Sequence, residues 1–177
     1  MEQEVNAWKS NLTNGLILGL VGVVYSLIIY FFDLTFNSYQ GYIGMAVQLG
    51  VLYFLLKSYR DNFRHGQITY GQSVGAGVII YLYYGIIMAL FTYLLFTVID
   101  PGLVKKSLAF AEETMLKKGV PQAAMDAGMA MQEKIMKPAI MAPMNLFGSM
   151  FSGTIISLIV SIFIKHEGNP LIETPEN

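Results

Sequence analysis

Two aspartates, Asp33 and Asp100, stand at the ends of long apolar runs, and two carboxylates at one membrane boundary could form a cation or proton site. A carboxylate at a helix boundary is more often a solvated end. Within the apolar runs there is no ionisable group; the notable polar side chains are the amides of Gln48 and Asn145. Catalysis or proton coupling inside a bilayer needs ionisable groups that justify the cost of burying them, so the chain reads as non-enzymatic. His65 and His166 have no second ligand three or four residues away, there is no cysteine, and no nucleophile-elbow, zincin or Walker pattern occurs. No metal or other cofactor is expected. "GQSVGAG" (residues 71–77) lacks the lysine of a phosphate loop and begins an apolar helix, which makes its glycines candidate packing contacts.

The remaining polar chemistry lies in two surface stretches. "KSYRDNFRHGQITYGQ" puts Lys57, Arg60, Arg64 and His65 in one short loop, where cations could meet lipid phosphates or an acidic partner, or simply set topology. "MLKKGVPQAAMDAGMAMQEKIMKP" carries Met125, Met129 and Met136 among charges. Unbranched, polarizable methionine suits a surface that meets a partner; it also fills gaps where a hairpin packs on its own bundle or lies among lipid headgroups.

The elements that position these residues follow from hydropathy. Only 13% of the 177 residues are charged and 54% are hydrophobic, against about 25% charged in ordinary soluble domains. A net charge of −1 excludes a globally basic nucleic-acid binder. A helix needs about 20 apolar residues to cross the hydrocarbon, and four stretches satisfy this, at about 12–32, 41–57, 70–99 and 144–165. "VIIYLYYGIIMALFTYLLF" has no polar face at the helical period, as a soluble bundle would require. The expected fold is an all-α polytopic membrane protein, a single membrane domain over residues 1–177. The acidic, polar start is unlike a secretory signal, so the first run is expected to stay as an anchor.

Between the third and fourth spans, at about 102–137, the pattern is amphipathic. Val104, Leu108, Ala111 and Met115 share one helix side; Gly119 suits a helix C-terminus and Pro121 the next first turn. Ala124, Met125, Gly128, Met129, Met131, Ile135 and Met136 form a second apolar side. Two helices too short and too charged to span are therefore expected as a hairpin. Four spans place both termini on one side. Lys57, Arg60 and Arg64 with Lys9 and Lys165 favour that side as cytoplasmic, although the connector's six lysines, offset by five acids, weaken the bias.

Ser149, Gly153, Ser157 and Ser161 follow at intervals of four, with shorter versions at Gly15 and Gly19 and at Gly71 and Gly75. Small residues let helix backbones approach in lipid. The stripe is expected to pack the bundle, the alternative being a homo-oligomer seam.

The order "YRDNFRHGQITYGQS", a long apolar helix closed by "IDP", "KKGVPQAAMDAGMAMQEKIMKP" and "LFGSMFSGTIISLIVSIFIKHE" resembles the bacterial membrane proteins grouped as domain of unknown function 4199. The resemblance covers nearly the whole chain and implies a four-helix bacterial inner-membrane protein without an assigned enzyme activity, cofactor or substrate. Two functional expectations follow. One is an accessory, anchoring or assembly component of an envelope complex, bound in the lipid bilayer to a membrane-protein partner or to its own copies. The other is a small transporter or lipid-handling protein with a cavity lined by Gln48, tyrosines and small residues; polar groups converging on a mid-membrane cavity would favour it.

Overall fold

Each long apolar run becomes one helix in the computed structural model, which describes residues 6–166. The acidic start, residues 1–5, lies outside the described residues. Asn6 caps α1 (Ala7–Phe31) by accepting from the amides of Trp8 and Lys9. After a turn comes α2 (Gln40–Phe63). Thr69 and Gln72 form a reciprocal capping box that starts α3 (Tyr70–Leu94), and a π-turn (Leu95–Ile99) extends it to Asp100. The hairpin follows as α4 (Gly102–Lys117) and α5 (Gln122–Ile135), and α6 (Pro138–Ile164) completes the bundle. No strand occurs among the described residues.

The boundaries shift from expectation in physically simple ways. α1 begins at Ala7 rather than near 12 because the Asn6 cap precedes the apolar run. α2 continues past 57 to Phe63, since Lys57, Arg60 and Asp61 are tolerated in its protruding last turns. α6 begins at Pro138, six residues before the expected start near 144: Pro138 suits the first helical position, and Pro143 lies early enough in the helix that the lost backbone bond does not end it.

The four spanning helices, Ala7–Phe31, Gln40–Phe63, Tyr70–Ile99 and Pro138–Ile164, are long and apolar enough to cross a membrane. Their outward faces agree. Phe54, Leu90, Phe147 and Phe151 are between 61% and 74% exposed, a density of bare apolar side chains that water would not tolerate and hydrocarbon solvates.

The bundle is centred on α3, which packs along α6 and α1. Its antiparallel seam with α6 repeats every four residues. The Ser161 hydroxyl donates to Ser73 Oγ (2.8 Å), Gly77 faces Ser157, Gly153 faces the base of the Tyr81 ring, and Gly85 faces Ser149 and Leu146. Small residues on one helix thus receive larger ones on the other. On the opposite flank, Gly15 lies against Tyr83, Gly19 against Ile87 and Gly22 against Tyr84 and Met88, so α1 runs parallel to α3. Gly71 and Gly75 make no such contact and are exposed; the packing face of "GQSVGAG" consists of Ser73, Ala76 and Gly77. The expectation that all its glycines pack is corrected accordingly: Gly71 and Gly75 lie two residues from Ser73 and Gly77, about 200° around a helix.

α2 is held mainly by its second half. Leu52, Leu55, Leu56 and Tyr59 are buried there, whereas Gly44 alone is buried in the first half. At that secured end, Ile68 and His166 exchange two backbone bonds of 3.0 Å, and Arg60 Nη1 donates to the Ile164 carbonyl (3.2 Å). Arg60 is therefore a cap on the negative C-terminal end of α6. Arg60→Ala should free the last turn of α6 at a cost of ~1 kcal/mol, seen as faster amide exchange at residues 161–166 with the rest of the bundle unchanged.

Candidate functional site

Because α2 is secured at one end and α1 follows α3 through glycine contacts, the first half of α2 stands away from the bundle. Between it and α1 lies a partly open cavity of about 290 Å³, at the small end of the range for ligand sites. Leu18, Val21, Gly22, Tyr25 and Ser26 of α1 form one wall, and Gly44, Met45, Val47 and Gln48 of α2 the other. Tyr84 of α3 and Ser152 and Ile156 of α6 close its floor.

The floor is polar at the middle of the spans. Tyr81 Oη donates to Gln48 Oε1 (3.1 Å), and Gln48 Nε2 donates to Tyr84 Oη (3.4 Å). The two tyrosine rings meet edge to face at 5.5 Å, which fixes the direction of both hydroxyls. At the hairpin end, the Tyr25 hydroxyl donates to the Gln40 carbonyl and joins the two walls. Among the described residues, no charged side chain lines the cavity. The other notable amide, Asn145, is a packing group: its Nδ2 donates to Thr92 Oγ1 (2.9 Å) across the α3–α6 seam.

Other sequence candidates occupy different places. Ser149, Gly153, Ser157 and Ser161 are buried against α3 within one chain, and Gly15 and Gly19 are buried against Tyr83 and Ile87. In the basic loop, Arg60 is committed to Ile164 and Asp61, while Arg64 Nε donates to Tyr59 Oη (3.3 Å), leaving Lys57 and His65 exposed. The C-terminal carbonyls of α6 lie beside these residues and take one guanidinium.

The hairpin closes on itself. A Schellman pair, Val120 N–H to Met115 O (3.1 Å) and Gly119 N–H to Leu116 O (3.0 Å), ends α4 with Gly119 at φ 66°. Met125 is buried, Met129 and Met136 are half-buried, and Gly128 lies against Met115. Ala124 and Met131, expected on this inner side, are exposed instead; Val104, Leu108, Ala111 and Met115 of α4 are all partly covered. Phe110 stacks on Phe36 (centroids 4.8 Å), docking the hairpin on the α1–α2 turn beside the Tyr25–Gln40 end of the cavity.

The two aspartates are held differently. Asp100 accepts from Lys106 Nζ (3.2 Å) and from Tyr30 Oη (3.4 Å). The hydrogen-bonded Lys106 holds the Asp100 carboxyl below the usual carboxylate range. Asp33 is exposed, in a left-handed turn conformation with φ 54°. No cluster of three or more His, Cys, Asp or Glu side chains forms among the described residues.

Tyr25, Ser26, Gln40, Tyr84 and Ser152 were not singled out by the sequence. Gln48, a lone amide in an apolar helix, was the available signal; the residues that meet it depend on how α2 leans.

Four apolar spans around an interior seam, with an amphipathic hairpin at one end and a polar cleft between α1 and α2, define a polytopic integral membrane protein. The chain belongs to the family described as protein of unknown function DUF4199, whose model matches residues 13–166. No curated protein and no solved structure matches it.

Proposed function

We propose that this is a non-enzymatic lipid-handling protein of the bacterial inner membrane, with both termini cytoplasmic, that takes a single amphiphile into the cleft between α1 and α2. The observation that carries the reading is the position of Gln48, Tyr84 and Ser152 on the wall of a partly open cavity near the middle of the spans. A lipid can enter sideways, place its chain along Leu18, Val21 and Met45, and set a polar group on the amide and hydroxyls. The basic loop at the end shared by α1's start and α6's close supports the orientation.

Extraction into mild detergent followed by mass spectrometry of the copurifying lipids tests it. About one retained lipid per chain is expected. Ser26→Phe, which adds a ring to the cleft wall away from the α3–α6 seam, should lower retention about tenfold, equivalent to ~1.4 kcal/mol. A wild-type chain that carries only the bulk lipid mixture, unchanged by Ser26→Phe, would contradict the proposal.

The accessory or anchoring role is the second reading. It is favoured by the outer face of α5, where Ala123, Ala127, Ala130 and the 64%-exposed Met131 lie bare on the hairpin. Copurification of a stoichiometric membrane protein, lost on Met131→Glu, would support that role.

A further inference from the structure

The Gln48 network has more donors than it uses. Two tyrosine hydroxyls and one primary amide carry four donor hydrogens, and the Tyr81–Gln48 and Gln48–Tyr84 bonds occupy two of them. Tyr81 spends its hydrogen on Gln48, while Tyr84 accepts from the amide and keeps its own, as the amide keeps its second. Tyr81 is fully buried, so the surplus is presented where Tyr84, 8% exposed, and Gln48 line the cavity.

Neighbouring groups do not absorb it. The Tyr25 hydroxyl already donates to the Gln40 carbonyl, and the Ser152 hydroxyl donates to its own helix at Gly148 O (2.8 Å). Hydrocarbon offers no acceptor at this depth, and an unmet donor there is costly. Among the described residues, the wall also lacks a charged side chain that could balance a phosphate or an ammonium group.

We infer that the cleft selects an uncharged lipid whose head presents a carbonyl oxygen, and that this oxygen accepts from the Tyr84 hydroxyl and the Gln48 amide. The inference rests on the reading of the cleft as a lipid site and adds the chemical class of its occupant. Acylglycerol esters and prenylquinones share the required chemistry: carbonyl acceptors, long apolar chains and no net charge. Alkanes lack the acceptor, and anionic phospholipids bring a charge the cleft does not neutralise. Tyr84 and Gln48 determine specificity here; the apolar wall sets only where the chain lies.

Four photoreactive probes in phosphatidylcholine nanodiscs test this on the full-length chain: a diacylglycerol, a prenylquinone, a phosphatidylglycerol and a long-chain alkane. At least one carbonyl probe is expected to label peptides covering residues 18–26 and 40–48 about tenfold more than the alkane or the phosphatidylglycerol. The ratio of diacylglycerol to quinone labelling identifies which source of the carbonyl the cleft prefers. Tyr84→Phe keeps the ring and removes the hydroxyl, and should erase most of that preference. Equal labelling by alkane and carbonyl probes, or preference for phosphatidylglycerol, would overturn the inference and leave a lipid cleft standing. Absence of label from these segments with every probe would overturn both. The comparison among probes uses the unmodified chain, so it holds even if the variant folds poorly.

Discussion

Gly153→Leu should cost the fold ~3 kcal/mol, whereas Gly75→Leu should stay within ~0.5 kcal/mol of wild type. The two substitutions add the same atoms to spanning helices and differ only in what those atoms meet. A Cβ on Gly153 collides with the Cγ and Cβ of Tyr81, itself fully buried between α6 and α2; a Cβ on Gly75 meets nothing within 4 Å. Relief at Gly153 would require α6 to move away from α3, which would also separate Ser161 from Ser73 and Asn145 from Thr92. Unfolding in mixed detergent and dodecyl sulfate micelles, followed by circular dichroism, gives the two values. If the stripe were instead a seam between copies, Gly153→Leu would leave the unfolding curve in place and change only the elution volume.

The second large effect belongs to the cleft floor. Gln48→Leu should cost ~2 kcal/mol, because it strands the fully buried Tyr81 hydroxyl, whose hydrogen-bond acceptor is Gln48 Oε1. Tyr81→Phe also destabilises, by leaving that oxygen short of a donor. The double variant removes both partners and should be milder than the sum by ~1 kcal/mol, within the range of coupling energies measured for contacting pairs and for hydrogen bonds in membrane helices. Additive costs would mean that the two side chains do not interact in the membrane.

Much of the fold was legible because hydrocarbon imposes severe rules. A charge-free run of sufficient length has one stable backbone solution, so four spans could be read before any coordinates. Gly119 with Pro121 marks the hairpin turn, because helix ends must satisfy or do without particular backbone groups. The stripe from Ser149 to Ser161 was equally plain. Its mate was not: Gly71 and Gly75 show the same four-residue spacing as Ser73 and Gly77, and spacing within one helix cannot tell which of two faces meets a neighbour.

The candidate site was legible only at Gln48. An amide surrounded by apolar residues announces a hydrogen-bond partner, but the identity of Tyr81 and Tyr84 as those partners depends on the packing of α2 against α3 and α6. The cleft itself arises from an uneven grip: Leu52, Leu55, Leu56 and Tyr59 secure one half of α2, while the other half has Gly44 against Tyr25. Arg60 teaches the converse lesson. Its charge was visible in the sequence, yet its acceptor is a main-chain carbonyl 104 residues away, which no side-chain pattern encodes.

A lipid site between α1 and α2 requires that the cleft open to lipid rather than to water. The chain contains no cysteine, so Ser26→Cys and Met45→Cys each give a single spin-labelling position on the cleft wall, and Lys117→Cys gives a reference on the exposed hairpin. In reconstituted bilayers, labels at residues 26 and 45 should collide far more with oxygen, which concentrates in hydrocarbon, than with a water-soluble nickel chelate, and the label at residue 117 should do the reverse. Nickel reaching residues 26 and 45 as readily as residue 117 would make the cleft an aqueous vestibule and contradict the account.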